Sequence, residues 1–175
     1  MSRGDWIQVA SGELFYPLSP DPGEVTIQDI AHALSMKCRY GGHCLKFYSV
    51  AEHSVYVSQN VPEEYALWGL LHDAAEAYSA DIPRPIKKNL KEWAAIEERI
   101  QNAVCDRFGL DRKEPDIVKL VDTQMLLKEK DALLAPCAVQ WDTSYIVPSN
   151  FEVKIQALMP EEAKAFFMKR FTEVV

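Results

Sequence analysis

The sequence predicts an all-α protein: a compact single-domain bundle of five to seven helices, with room for a short N-terminal hairpin. Three observations carry this. Apolar residues recur at three- and four-residue spacing in successive stretches, the period of a helix with one buried face. Each stretch is bounded by residues that start or stop helices, Thr26, Pro62, Gly109 and Pro160 among them. A chain of 175 residues, 48% hydrophobic and 26% charged, is long and apolar enough for one sizeable core over residues 1–175.

The elements follow in order. Glu13 to Leu18 reads as a short strand or hairpin arm in a proline-rich stretch. Thr26 is placed to cap a helix whose Ile27, Ile30, Ala31 and Leu34 share a face. Gly41-Gly42 breaks the chain. A second helix begins near Ser49 and runs through His53 towards Gln59. Pro62 opens a third, with Glu63 and Glu64 at its positive end. Its body, Tyr65 to Leu71, is apolar almost all round, so it is central, and its C-terminal part carries His72, Asp73 and Glu76. Asp81-Ile82-Pro83-Arg84-Pro85 forbids its continuation. Further helices span Lys91 to Phe108, stopped by Gly109, then Asp116 to Leu134 and Pro160 to Phe171, with irregular chain from Pro136 to Asn150.

The net charge of −7 and a pI near 5.1 argue against binding long nucleic acid, which needs a basic footprint. A small phosphate ligand needs only one local basic cluster. No apolar run reaches membrane length and no signal peptide opens the chain, so a cytoplasmic protein is expected. Cys38, Cys44, Cys105 and Cys137 form no Cys-x-x-Cys pair and read as free, buried thiols. His32, beside apolar residues at helical spacing, reads as a packed core histidine. Trp68, Trp93 and Trp141 exceed what a small core must bury, which favours a homo-oligomer.

The chemistry centres on His72-Asp73. Imidazole nitrogen and carboxylate oxygen suit a divalent transition ion. Antiparallel packing across a short connection sets the start of the second helix beside the end of the third, so His53 could face His72. Asp122, amid Val118, Leu120, Val121 and Met125, would be a costly carboxylate without a cation. Glu76 can reach the space beside such an ion as a general base. Asp81 lies in a loop made rigid by Pro83 and Pro85, and is placed either for an N-cap or for catalysis. Arg39, Arg84, Lys87 and Lys88 supply cations for phosphate, and His43 is either a phosphate contact or an alternative metal ligand.

These residues, Val50-Ala51-Glu52-His53-Ser54, His72-Asp73-Ala74-Ala75-Glu76, Asp81-Ile82-Pro83-Arg84-Pro85 and Asp122, resemble the HD-domain metal-dependent phosphohydrolases. Cys38-Arg39-Tyr40-Gly41-Gly42-His43 and Phe47 to Ala51 are similar to the small phage and prophage members, and the likeness spans about residues 10 to 135. The resemblance implies an all-α HD fold with His53, His72, Asp73 and Asp122 around one divalent ion (Co, Mn, Ni, Zn, Fe or Mg). The chain is also similar to bacterial 5′-deoxynucleotidases, which implies catalytic assistance from Glu76 and Asp81. It further implies a phosphate- and sugar-contacting pair at Arg39-Tyr40, where Tyr40 stands in place of a Trp.

The expected function is hydrolysis at the 5′ end of a small nucleotide, foremost the 5′-phosphate of a deoxynucleoside monophosphate. A dNTP triphosphohydrolase and a non-catalytic nucleotide-binding module are the alternatives, and a nuclease is disfavoured by the acidic charge.

Overall fold

The computed structural model describes residues 3–175; among them, seven α-helices and one two-stranded hairpin make up the regular structure. The expected all-α bundle is what forms. The hairpin pairs β1 (Ile7–Gln8) with β2 (Leu14–Phe15), antiparallel, with Ile7 opposite Phe15. Phe15 is fully buried and stacks on Tyr78 with ring centroids 4.0 Å apart, which docks the hairpin onto the bundle.

Helix α1 (Ile27–Met36) begins where Thr26 caps it, its hydroxyl accepting from the Asp29 amide at 3.1 Å. Its buried face is Ile27, Ile30, Ala31 and Leu34; His32, expected inside, is exposed because it falls on the opposite face. Helix α2 (Val50–Asn60) is capped by Ser49 and is buried along nearly its whole length. It packs against α1, α3 (Ala66–Leu71), α6 (Asp116–Leu133) and α7 (Pro160–Val174), so it is the axis of the bundle. Each fully buried valine on it, Val50, Val55 and Val57, stabilises the fold by about 1.5–3 kcal/mol.

Gly69 sets how closely α3 approaches α2. A Cβ there would lie 3.1 Å from the Ser58 Cα and 3.2 Å from a Val61 methyl. The helices can touch backbone to side chain only because that position is bare.

Two elements differ from expectation. The third helix does not carry on to Glu76: α3 ends at Leu71, and Ala74–Tyr78 forms a tighter 3₁₀ turn. Gln101, on α5 (Lys91–Phe108), bridges this break, donating to the Leu71 carbonyl at 2.9 Å and accepting from the Ala75 amide at 3.1 Å. Those are backbone groups the break would otherwise orphan. A one-turn helix that was not anticipated, α4 (Arg84–Lys87), starts at the same prolines that were expected only to end the preceding helix. Proline is excluded from helix interiors but tolerated in the first turn, where its missing N–H would have no partner.

The C-terminal helix is tied back by Glu52, a fully buried carboxylate on α2. It accepts from the backbone amides of Gln156, Ala157 and Leu158 at 2.8–3.0 Å and from the Tyr56 hydroxyl at 2.9 Å. Of the four free cysteines only Cys105 is buried; Cys38 and Cys44 are half-buried and Cys137 is exposed. Among the described residues, no helix is long and apolar enough to cross a membrane.

Candidate metal centre

Three elements converge at one end of α2. His53 comes from the first turn of α2, His72 and Asp73 from the break after α3, and Asp122 from the second turn of α6. The Nε2 atoms of the two histidines lie 3.2 Å apart. Asp122 Oδ1 is 3.1 Å from His53 Nε2 and 3.8 Å from His72 Nε2. Asp73 Oδ2 is 3.3 Å from His72 Nε2 and 3.8 Å from His53 Nε2. Ligand atoms about 2.1 Å from a shared ion sit roughly 3.0 Å apart at right angles and roughly 3.4 Å apart in a tetrahedron. His53, His72 and Asp122 form a group that could hold a metal ion.

The protonation pattern strengthens the fit. His72 Nδ1 faces the Gly69 carbonyl at 2.8 Å, and His53 Nδ1 faces the Glu129 carboxylate at 2.5 Å. Both partners only accept, so each Nδ1 carries a proton, and the two Nε2 atoms are left facing each other. Two ring nitrogens and a carboxylate oxygen at about hydrogen-bond distance call for a cation or a proton between them. Burial works against charge on His72, yet Asp73 and Asp122 outweigh it and push the ring up to about 10. On His53, burial and Arg39 oppose a proton, but Glu129 and Asp122 prevail and raise it. Burial would raise the Asp73 carboxyl, but His72 overrides it and the group is held far below the usual carboxylate range.

The sequence reading missed the residue beneath the site. Glu129 is fully buried and receives four partners: His53, the Tyr40 hydroxyl at 2.6 Å, the Tyr48 hydroxyl at 2.9 Å and Arg39 Nε at 3.3 Å. Burial favours its neutral form, but Arg39 and His53 hold it ionised, at about 2. It orients His53 as outer carboxylates orient metal-binding imidazoles. A signal was present: Val118, Asp122, Met125 and Glu129 follow the four-three-four spacing of one helix face. A second omission is Lys37, whose ammonium bonds the Glu76 carbonyl and, at 3.0 Å, that of Ser79, fixing the 3₁₀ turn.

The expected catalytic and binding residues gather around the same point. A cleft of about 970 Å³ runs past Asp73, Glu76, Asp81 and Asp122, and Arg39, Tyr40, His43, Arg84 and Lys87 all line it. A second opening of about 440 Å³, between α5 and α6, also reaches Asp73, Glu76 and Asp122. Glu76 is buried, and among the described residues its Oε2 has no hydrogen-bond partner. Burial, then the charges of Asp73 and Asp81, push it up to about 9. Asp81 is half-buried and raised, chiefly by burial.

The cations are already engaged. Arg39 Nη1 meets Asp73 at 3.3 Å, and Lys87 meets Glu97 at 2.6 Å. Tyr40 directs its hydroxyl at Glu129 and adopts a left-handed backbone, φ 58°, followed by Gly41 at 59° and Gly42 at 81°. Such a φ costs a non-glycine residue about 1–2 kcal/mol. His43 is exposed on the cleft rim and outside the metal group.

No family model matches the chain. Two bacterial relatives do. The chain is 37% identical over 169 residues to the uncharacterized protein YfdR of Escherichia coli, spanning 97% of this chain and 95% of that one. It is 30% identical over 182 aligned positions to an uncharacterized protein of Rhodobacter capsulatus, spanning 94% and 93% respectively.

Proposed function

We propose that this chain, which belongs to the YfdR family, is a divalent-metal-dependent phosphohydrolase of (deoxy)nucleotides, a reading that rests on its site and not on its relatives. It is of the HD-domain kind its motifs resemble, with deoxynucleoside 5′-monophosphates as first substrates. The observation that carries the reading is the convergence of His53 Nε2, His72 Nε2 and Asp122 Oδ1, near a buried Glu76 oxygen with no hydrogen-bond partner among the described residues.

His53, His72 and Asp122 would hold the ion, with Asp73 as the fourth ligand. When bound, a divalent cation supplies Lewis-acid polarisation of a phosphoryl oxygen and lowers the pKa of water. Glu76 hydrogen-bonds the attacking water and orients it towards phosphorus. Arg39 and Lys87 offset charge on the phosphoryl oxygens as the P–O ester bond breaks. Asp81, whose carboxyl burial shifts upward and which lines the same cleft, is the candidate to give a proton to the departing 5′ oxygen. Tyr40 and His43 line the path of the sugar and phosphate.

A triphosphohydrolase is the second reading, favoured by Arg84, Lys87 and Lys88 lining the same cleft. One experiment tests both. Metal-stripped protein is assayed with all deoxynucleoside mono- and triphosphates, with Mn, Co, Ni, Mg or Zn restored singly, and products are separated by chromatography. Nucleoside plus phosphate supports the first reading, and nucleoside plus triphosphate the second. Asp73→Ala should lose metal and activity together; a fully active Asp73→Ala protein sinks the proposal, and nucleotide binding without turnover would make the chain a binding module.

A further inference from the structure

The lining of the cleft is of two chemical kinds. One is ionic, with the carboxylates and histidines of the metal centre. Elsewhere its wall is apolar: Leu126 of α6, Leu134 just beyond it, and Trp141 and Tyr145 from the irregular stretch before α7. Trp141 is 37% exposed and Tyr145 53% exposed. Aromatic rings left in solvent beside a concave site hold apolar surface that a ligand can cover.

The segment just after Trp141, which carries Tyr145, is tied down by hydrogen bonds. Asp142 Oδ1 accepts from the Ser144 amide at 3.0 Å and its hydroxyl at 2.6 Å, and the Ile146 amide donates to the Thr143 carbonyl at 3.0 Å. Ile146 is buried. Gln124, two residues after Asp122, donates to the carbonyls of Val147 and Pro148 at 3.0 and 3.3 Å, so the helix that presents a metal-group carboxylate also anchors the aromatic segment. Arg84 fixes the Tyr145 ring from the other side, with Nη1 3.3 Å from its hydroxyl and the guanidinium 5.6 Å from the ring centre. Rigid, pre-placed aromatic faces bind planar rings at low entropic cost.

We infer that Trp141 and Tyr145 form the nucleobase-binding wall of the cleft, stacking on the base while the phosphate lies at the metal centre. This rests on the nucleotide reading above and extends it to how the substrate is recognised. Stacking reads the π-face that every base has, so this wall favours nucleotides over other phosphate esters without choosing one base.

The test compares deoxyadenosine 5′-monophosphate with deoxyribose 5-phosphate, which lacks the base, on Trp141→Leu and Tyr145→Leu proteins. Both side chains are exposed, so both variants should fold. The KM for the nucleotide should rise about 5- to 150-fold, the range for one lost base stack, with KM for the base-free ester and kcat unchanged. A KM that rises equally for both esters, or for neither, overturns the inference. Tryptophan fluorescence separates this result from the fate of the catalytic reading. If no ester is hydrolysed, that reading falls, and quenching of wild-type fluorescence by the nucleotide, absent in Trp141→Leu, still upholds the wall. Absence of quenching in the wild type overturns it.

Discussion

At the scale of single residues, the decisive pair is His53 and Glu129. The imidazole can present its Nε2 lone pair only while Glu129 holds the other nitrogen's proton. Glu129→Gln keeps the shape and removes the charge, so metal affinity should fall about 10- to 100-fold, measured against a competing chelator. His72 gives the site a pH signature. In metal-free protein its ring is held up to about 10, above the ordinary 6.5, so the proton is bound more tightly when folded. The stability this proton contributes is complete below about pH 6.5 and disappears as pH climbs towards 10. Metal must displace that proton, so apparent affinity should climb by up to about tenfold per unit between pH 6 and 8 in calorimetric titrations. The grouping of His53, His72 and Asp122 was legible because each is a metal-binding type at a helix end or on an apolar face; Asp73, expected as a fourth ligand, lies beside that group, 3.3 Å from His72 Nε2, and is not part of it. The spacing places Glu129 on the Asp122 face, but its role was not legible, because its partners Arg39, Tyr40 and His53 come from distant parts of the chain.

At the scale of elements, α5 was legible end to end, Lys91 to Phe108, since its apolar stripe and its glycine stop are both local signals. The break after α3 was not, because Gln101, thirty positions after Leu71, supplies the bonds that make it affordable. Helix α4 was hidden for a different reason: Pro83 and Pro85 end the preceding segment as expected, and also start a new turn. The contact of α2 with α3 is the element-level determinant of the site, since Gly69 governs the spacing across which His53 meets His72. Gly69→Ala should force the Ser58 backbone away, cost about 1–3 kcal/mol in denaturant unfolding, and weaken metal binding as well. A variant with unaltered metal affinity would show that the histidine spacing does not depend on this contact.

At the scale of the whole molecule, the metal group joins segments that are far apart in sequence, α2, the turn after α3, and α6. An ion bound only by the folded chain stabilises all of it by mass action. At about one hundred times Kd this amounts to about 2.7 kcal/mol, a rise in Tm of roughly 5–10 °C for a chain of this size. Scanning calorimetry should find that rise in the wild type and lose most of it in Asp73→Ala. The bundle itself was readable from periodicity, but its tie to α7 was not: the Glu52 bonds to the amides of 156–158 join positions about a hundred residues apart.

Tyr40 gives the cleft floor a different kind of behaviour. Its left-handed backbone is unfavourable in isolation, and its hydroxyl is held by the same carboxylate that steadies His53. Whatever tightens His53 therefore also tightens Glu129 on Tyr40, and the strained turn Arg39–Gly42 is clamped more firmly. The turn becomes a reporter of occupancy: its amides should exchange with deuterium more slowly in ion-loaded protein than in stripped protein, although none of its residues is a ligand.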